Sequence, residues 1–248
     1  MNTVFKKYGD YYNLLYQDKD YEGEVNYIDK LIANFGKKKK ELLEFGSGTG
    51  DHGSFLTKYG YVVHGVERSA EMVALSKKSK GFTCEQGDIT KINLGRSYDC
   101  VLSLFHVVNY QITAQQINSF FVNAANHLDK DGLFIFDFWY SPAVYSQQPT
   151  LRLKRVNNEK VKITRIAEPI IYSSDNRVDI IYTFFLEDLI TGSIHTFEEI
   201  HPLRHFNLSE VDKLGANNNF ELINSEEFMT SAKLSEQTWS ACVVFRKI

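Results

Sequence analysis

Glu44-Phe45-Gly46-Ser47-Gly48-Thr49-Gly50 follows an apolar pair, Leu42-Leu43, and precedes a helix-like stretch from Asp51 to Tyr59. A strand that ends in an acid and turns through three alternating glycines is built to meet a ligand. Glycine tolerates the tight turn and puts no side chain between backbone and ligand. The N–H groups opening the next helix then point at that ligand. An acid at the strand tip disfavours a nearby phosphate and favours a cation, such as the amino group of an amino acid.

Two further acids extend the pattern. Tyr61-Val62-Val63-His64-Gly65-Val66 reads as a second strand, with Glu67 at its end. A carboxylate about 20 residues beyond a glycine turn, at the next strand tip, accepts hydrogen bonds from ribose hydroxyls. Gly87-Asp88-Ile89 follows the strand-like Phe82-Thr83-Cys84-Glu85, and Asp88 there can accept an adenine amine. Amine, ribose and base together describe S-adenosylmethionine (SAM), which carries a sulfonium and no phosphate. The competing reading is a nicotinamide dinucleotide, since Gly48-Thr49-Gly50-Asp51-His52-Gly53 matches G-x-G-x-x-G. Glu44 argues against it by adding negative charge near the pyrophosphate.

Composition sets the remaining bounds. The chain has 248 residues, 43% hydrophobic, enough for one large domain or a domain with an insertion. Its formal net charge of −3 gives a nucleic-acid partner no electrostatic support. The basic run Lys37 to Lys40 reads as a solvated loop. Cys84, Cys100 and Cys242 are far apart and sit in apolar surroundings, as thiols in a reducing compartment do. No His/Cys cluster has metal-ligand spacing, so no metal is expected. The sequence contains no 18-residue apolar run, and Met1 to Lys7 does not read as a signal peptide. The expectation is a cytoplasmic protein that is not membrane-bound, a monomer or homodimer acting on a small molecule.

Along the chain, residues 1–35 show helical spacing, with Tyr8, Tyr11, Tyr12, Leu14, Leu15 and Tyr16 first, then Val25, Ile28, Leu31 and Ile32. Residues 41–137 alternate short apolar runs with helical stretches. Strands are predicted at 41–45, 61–66, 82–86, 98–104 and 132–137, and helices at 51–59, 69–79 and 113–128. That alternation implies a mostly parallel sheet. Gly132, after Asp129-Lys130-Asp131, signals a turn. Residues 151–205 alternate polar and apolar, as in Val161 to Ile166, and predict an antiparallel meander of three or four strands. A helix near 208–214 and strands near 220–228 and 238–246 close the chain. The units are 1–137, N-terminal helices and an α/β cofactor-binding core; 138–206, an antiparallel β insertion serving as a substrate lid; and 207–248, completing the core.

These residues resemble a class I SAM-dependent methyltransferase. The resemblance rests on Glu44 to Gly50, on Glu67-Arg68-Ser69-Ala70-Glu71-Met72, on Gly87-Asp88-Ile89, and on Tyr98 to Phe105. It implies an α/β, Rossmann-like, seven-stranded sheet with only the last strand antiparallel, and a β insertion after the fifth strand. It implies SAM as cofactor, with S-adenosylhomocysteine (SAH) as product, held by Glu44, Gly46, Ser47, Gly48, Gly50, Glu67, Arg68, Met72, Gly87, Asp88, Ile89 and Leu104. Met72 would pack on the adenine. Tyr11 to Tyr21 and Glu199 to Phe206 are similar to bacterial enzymes that N-methylate nucleotide-activated amino sugars, and to relatives in surface-polysaccharide gene clusters or secondary metabolism. His106, Asn109 and Tyr110 depart from the small residues common there after the fourth strand.

Methyl transfer from a sulfonium is an in-line displacement, so the protein aligns the nucleophile and excludes water. The acceptor, amine or oxygen, must lose a proton or carry a charge already. His106 has the intrinsic pKa of a base. Tyr16, by similarity, closes over the methyl group, and Tyr110 completes the catalytic candidates. Tyr12, Asn109, Trp139, Arg152, His201 and Arg204 are the substrate-binding candidates, with Asp137 and Tyr140 weaker ones. Arg152, Lys154, Arg155 and Arg165 form a local cationic stretch, and one strand face of it suits a phosphate on the acceptor. The alternatives are a SAM-fold binding protein without chemistry and an NAD(P)-dependent oxidoreductase.

Overall fold

The computed structural model describes residues 11–36, 40–77 and 79–248; Met1 to Lys7, Tyr8 and Lys37 to Lys39 lie outside them. Helices α1 (Tyr12–Leu15) and α2 (Tyr21–Phe35) come first. Then follow β1 (Glu41–Phe45), α3 (Asp51–Lys58), β2 (Val62–Glu67), α4 (Ala70–Ala74), β3 (Phe82–Gln86) and β4 (Tyr98–Ser103). A 3₁₀ turn (Val107–Tyr110), α5 (Ala114–Asn126), β5 (Leu128–Trp139) and α6 (Ser141–Gln147) lead to β6 (Arg152–Asn157), β7 (Val161–Tyr172), β8 (Arg177–Asp188) and β9 (Ile194–Arg204). The chain closes with α7 (Leu208–Asn217), β10 (Phe220–Glu227) and β11 (Ser240–Lys247).

Seven strands pair in the order β10-β11-β5-β4-β1-β2-β3. Only β11 runs antiparallel to its neighbours. This is the sheet of a class I methyltransferase, with order reversing between β1 and β4. Ligands of such sheets bind outside the carboxyl ends at that switch point. Strands β6 to β9 form a second, wholly antiparallel sheet in chain order.

Parity along the strands builds both layers of core. Phe134, Phe136 and Phe138 of β5 face one side with Phe45, Val101 and Phe245, covered by Ile117, Phe120 and Phe121 of α5. Leu133 and Ile135 face the other side with Leu42, Leu102 and Val244, covered by Val25, Ile28, Leu31 and Ile32 of α2. A sheet buried on both faces needs both parities apolar, which explains the continuous apolar runs. Helix starts are fixed locally. Asp20 accepts from Gly23 N at 2.9 Å, and Thr113 and Gln116 form a capping box.

The insertion is tied down at two places. Leu15 of α1 is fully buried among Ile163, Phe184 and Leu186. Val144 of α6 packs with Ala167, Val178, Ile180 and Leu203, alongside Tyr110 and Trp139 of the core.

Two local expectations are corrected. The helix read over 69–79 ends at Ala74, because Lys77 N turns to bond Thr49 O at 2.9 Å instead of continuing the helical ladder. The turn read at Gly132 is a bulge inside a longer strand. Asp131 takes φ 66°, and the β4–β5 register jumps between Leu128 and Leu133. Among the described residues no helix is long and apolar enough to cross a membrane.

Phe136 is fully buried and its ring meets Phe120, Phe121, Phe134, Phe138 and Phe245. Replacing Phe136 by Ala should lower unfolding free energy by about 3–5 kcal/mol. Urea denaturation followed by circular dichroism checks this, and a loss under 1 kcal/mol would contradict the packing described.

Candidate functional site

A cavity of about 780 Å³ opens at the carboxyl ends of β1, β2, β4 and β5 and continues beneath the insertion. One wall is the glycine turn. Gly46, Gly48 and Gly50 have φ of 72°, 56° and 77°, which only glycine adopts freely. A Cβ on Gly46 would lie 2.6 Å from Val107, and one on Gly50 would lie 2.3 Å from Phe82. Gly48 is different: its nearest neighbour would be Met72 Sδ at 3.9 Å. Gly46 and Gly50 therefore allow close packing, while Gly48 leaves open space on the cavity side.

Glu67, at the tip of β2, reaches across the turn. Its Oε2 accepts from Gly48 N at 3.0 Å and its Oε1 from Ser69 N at 2.8 Å. Burial pushes its carboxyl above the ordinary range, against those N–H bonds. Asp88 Oδ1 accepts from the Thr90 N–H and hydroxyl. Burial raises this carboxyl, but the two bonds outweigh it and hold it below the usual range. Ser47, Arg68, Met72, Ile89 and Leu104 also line the cavity.

Glu44 departs from the expectation. It is 1% exposed and sits behind the turn rather than on the cavity wall. Burial, against the nearby His52, pushes its carboxyl up to about 7. Its Oε1 lies 3.6 Å from His52 Nδ1, and its Oε2 is buried without a hydrogen-bond partner. His52 does line the cavity, and its Nε2 lies 2.6 Å from Glu24 Oε2. Lys19 completes this line by pairing with Glu24 and stacking over the rings of Tyr21 and Phe105. Gly50 and Gly87 shape the wall without lining it; a Cβ on Gly87 would strike Ile92 at 2.4 Å.

The other half of the cavity gathers the catalytic candidates. Phe105 and His106 both take left-handed φ, 63° and 62°. Such backbone persists only where the surroundings hold it, often at functional sites. Here Asp137 Oδ1 accepts from His106 N at 3.2 Å, and Asp137 Oδ2 lies 3.2 Å from His106 Nε2. Tyr16 meets Phe105 edge-on at 5.2 Å and accepts from Arg165 Nη1 at 3.2 Å. Tyr110 Oη lies 2.8 Å from His201 Nδ1. Tyr12, Trp139 and Arg152 are on the wall with them.

Two substrate candidates are not. Asn109 is fully buried, and its Oδ1 accepts from Trp139 N at 3.4 Å. Arg204 pairs with Glu210 at 2.6 Å and covers the Phe206 ring, away from the cavity. Strand parity is the cause: His201 faces in, so position 204 faces out. Sequence reading missed Thr49, Asp51, His52 and Tyr21 near the turn, Tyr182 and Trp239 elsewhere, and the place of Arg165 on this wall. Arg165, Tyr182 and His201 share an inward parity that pairing register alone reveals.

The wall suits SAM. Glu67 and Asp88 line it as acceptors that would suit ribose hydroxyls and an adenine amine, and Met72, Ile89 and Leu104 as an apolar surface that would suit the base. Asp51 and Glu67 put carboxylates on the turn side of the wall, where an ammonium and a sulfonium would lie. The Methyltransferase domain family matches residues 42–132. A dTDP-3-amino-3,4,6-trideoxy-α-D-glucopyranose N,N-dimethyltransferase of Streptomyces venezuelae is 26% identical, covering 83% of this chain and 86% of its own. A dTDP-3-amino-3,6-dideoxy-α-D-glucopyranose N,N-dimethyltransferase of Streptomyces fradiae is 27% identical over 53% of this chain, about half of that enzyme's length (52%). The SAM-bound amino pentose methyltransferase CalS10 of Micromonospora echinaspora superposes with a TM-score of 0.77 at 21% identity, over 100% of this chain and 99% of its own.

Two outcomes follow from the cofactor wall. Glu67→Ala should weaken SAH binding about 100-fold or more by calorimetry, since charge-assisted bonds contribute roughly 1.5–3 kcal/mol each. Unchanged affinity would remove Glu67 from the contact set. The raised Glu44 carboxyl favours its protonated form in the folded chain. Its stability contribution is therefore full below pH 4.5 and is lost as pH rises through about 7, a span worth about 3 kcal/mol. Glu44→Gln should flatten that fall in ligand-free protein; parallel melting curves for the two proteins between pH 4.5 and 7.5 would refute it.

Proposed function

We propose that this chain, a class I SAM-dependent methyltransferase, methylates the amino group of a sugar carried on a nucleoside diphosphate. The carrying observation is that one cavity runs from the cofactor wall to Tyr16, His106, Tyr110 and Arg152 under one insertion. About 780 Å³ leaves room for an acceptor beside a cofactor. The names of the Streptomyces venezuelae and Streptomyces fradiae relatives support the choice of acceptor.

Bound SAM supplies an electrophilic methyl group on its sulfonium. The residues around the acceptor have three tasks. Tyr12, Tyr16 and Phe105 make an aromatic ceiling that excludes water and holds the acceptor in line. Tyr16, His106 and Tyr110 orient the amine for attack. With Nε2 held by Asp137, His106 keeps Nδ1 as its acceptor nitrogen. Arg152 is exposed at the cavity mouth on the inward parity of β6, and a guanidinium there suits a phosphate by bidentate bonding.

Incubation with SAM and dTDP-3-amino-3,6-dideoxyglucose, followed by mass spectrometry, tests the reading. Methylated sugar nucleotide is expected. No turnover of any amino-sugar nucleotide, with turnover of a neutral small molecule, would overturn it. Arg152→Ala should raise KM for the sugar nucleotide about tenfold and leave KM for SAM unchanged. The effect should vanish for the amino sugar lacking the nucleotide, and an equal effect on both acceptors would exclude a phosphate contact.

A further inference from the structure

The two histidines on the acceptor side of the cavity wall sit beside buried carboxylates, and they are built differently. His106 is fastened by one edge: Nε2 lies 3.2 Å from Asp137 Oδ2 and 3.1 Å from Ser240 Oγ. His201 descends from β9 and is 1% exposed. Its Nδ1 lies 2.8 Å from Tyr110 Oη, and its Nε2 lies 3.4 Å from Glu199 Oε2. The Glu199 carboxylate, itself 6% exposed, faces Nε2 at ion-pair distance, and its charge favours the tautomer with the proton there. Nδ1 is then the lone-pair nitrogen, and the Tyr110 hydroxyl donates to it. Tyr110, His201 and Glu199 thus form a line that starts at the acceptor and ends inside the insertion sheet.

We propose that the acceptor's proton leaves along this line, with Tyr110 as the catalytic residue and His201 and Glu199 as positioning residues behind it. The proposal rests on the reading that the cavity methylates an amine. The acceptor enters as its ammonium, one N–H bond of which breaks as its proton joins the Tyr110 oxygen. Tyr110's own phenolic proton moves to His201 Nδ1, leaving an imidazolium held by Glu199. The freed lone pair on nitrogen attacks the methyl carbon as the carbon–sulfur bond breaks, its electrons going to sulfur. Atoms and charge balance without a further reactant.

The surroundings keep His201 ready to accept. Tyr182 meets its ring edge-on at 4.8 Å, and Arg165 lies over Tyr182 at 4.9 Å while bonding Tyr16. Burial lowers the His201 pKa below the ordinary value; Glu199 opposes this and Arg165 reinforces it. The imidazole is therefore neutral near pH 7, the form that takes a proton. Burial and the charges of Tyr182, Tyr16, Glu67 and Glu199 raise the Tyr110 phenol, so it relays a proton rather than standing ionised.

Two measurements test the line. ¹⁵N NMR of histidine-labelled protein with SAH, assigned by loss of one signal in His201→Gln, needs no acceptor. It should find His201 neutral at pH 7 with the proton on Nε2; an imidazolium, or a proton on Nδ1, would overturn the proposal. Kinetics with dTDP-3-amino-3,6-dideoxyglucose come second. Tyr110→Phe and His201→Gln should each lower kcat about 100-fold with KM for SAM unchanged. Glu199→Gln should lower kcat about tenfold and shift the acidic limb of the kcat profile. His201→Gln should abolish that limb, whereas His106→Asn should keep it. A His201→Gln kcat within threefold of wild type, or a limb lost in His106→Asn instead, would overturn the relay. Wild-type protein inactive on every amino-sugar nucleotide would overturn the acceptor assignment alone, and the NMR result would then decide the relay.

Discussion

The cavity depends on how closely the glycine turn is approached by its neighbours. Val107 stands where a Gly46 side chain would be, and Phe82 stands where a Gly50 side chain would be. These contacts set the distance between the tips of β1, β4 and β3. A longer side chain at either position would push the 3₁₀ turn or β3 outward. His106 and Tyr110 would move with the first, and the cofactor wall with the second. Backbone proximity, rather than any single hydrogen bond, is what brings cofactor wall and acceptor wall into one space.

Charge then divides that space. The turn side is carboxylate-rich, with Glu67 and Asp51 on the wall and Glu44 behind it. The far side carries His106, His201, Arg165 and Arg152. Low dielectric strengthens both fields. The buried line Lys19–Glu24–His52–Glu44 joins α2 to the turn, so the negative side is backed by alternating charges rather than by acids alone. Buried ions arranged this way avoid the penalty of an isolated charge.

Much of this was legible in the chain because its signals are local. The glycine turn, Glu67 nineteen residues past Gly48, Met72 and Asp88 each lie on a strand tip or the turn behind it. The alternation of elements predicts the parallel sheet, and polar–apolar alternation an antiparallel insertion of three or four strands, of which the structure has four. What escaped has long-range causes. Glu44 reads as a strand-tip acid, but its parity on β1 turns it away from the cavity. His201 and Arg204 are three apart and so face opposite sides of β9. Arg165 and Tyr182 join the wall only through the β7–β8 register. Helix α4 stops early because a distant carbonyl, Thr49 O, captures the backbone.

The anchoring of Leu15 has a bearing on how the chain comes together. Its partners Ile163, Phe184 and Leu186 lie 148 to 171 residues further on. Loop closure on that scale precedes any reward from the contact. The sheet's first strands can pair with one another long before the insertion exists. During synthesis, Tyr11, Tyr12, Leu14 and Leu15 emerge early and wait without an apolar surface to meet. The earliest described segment is thus among the last to settle, and the acceptor side of the cavity is walled in only after the cofactor side has formed.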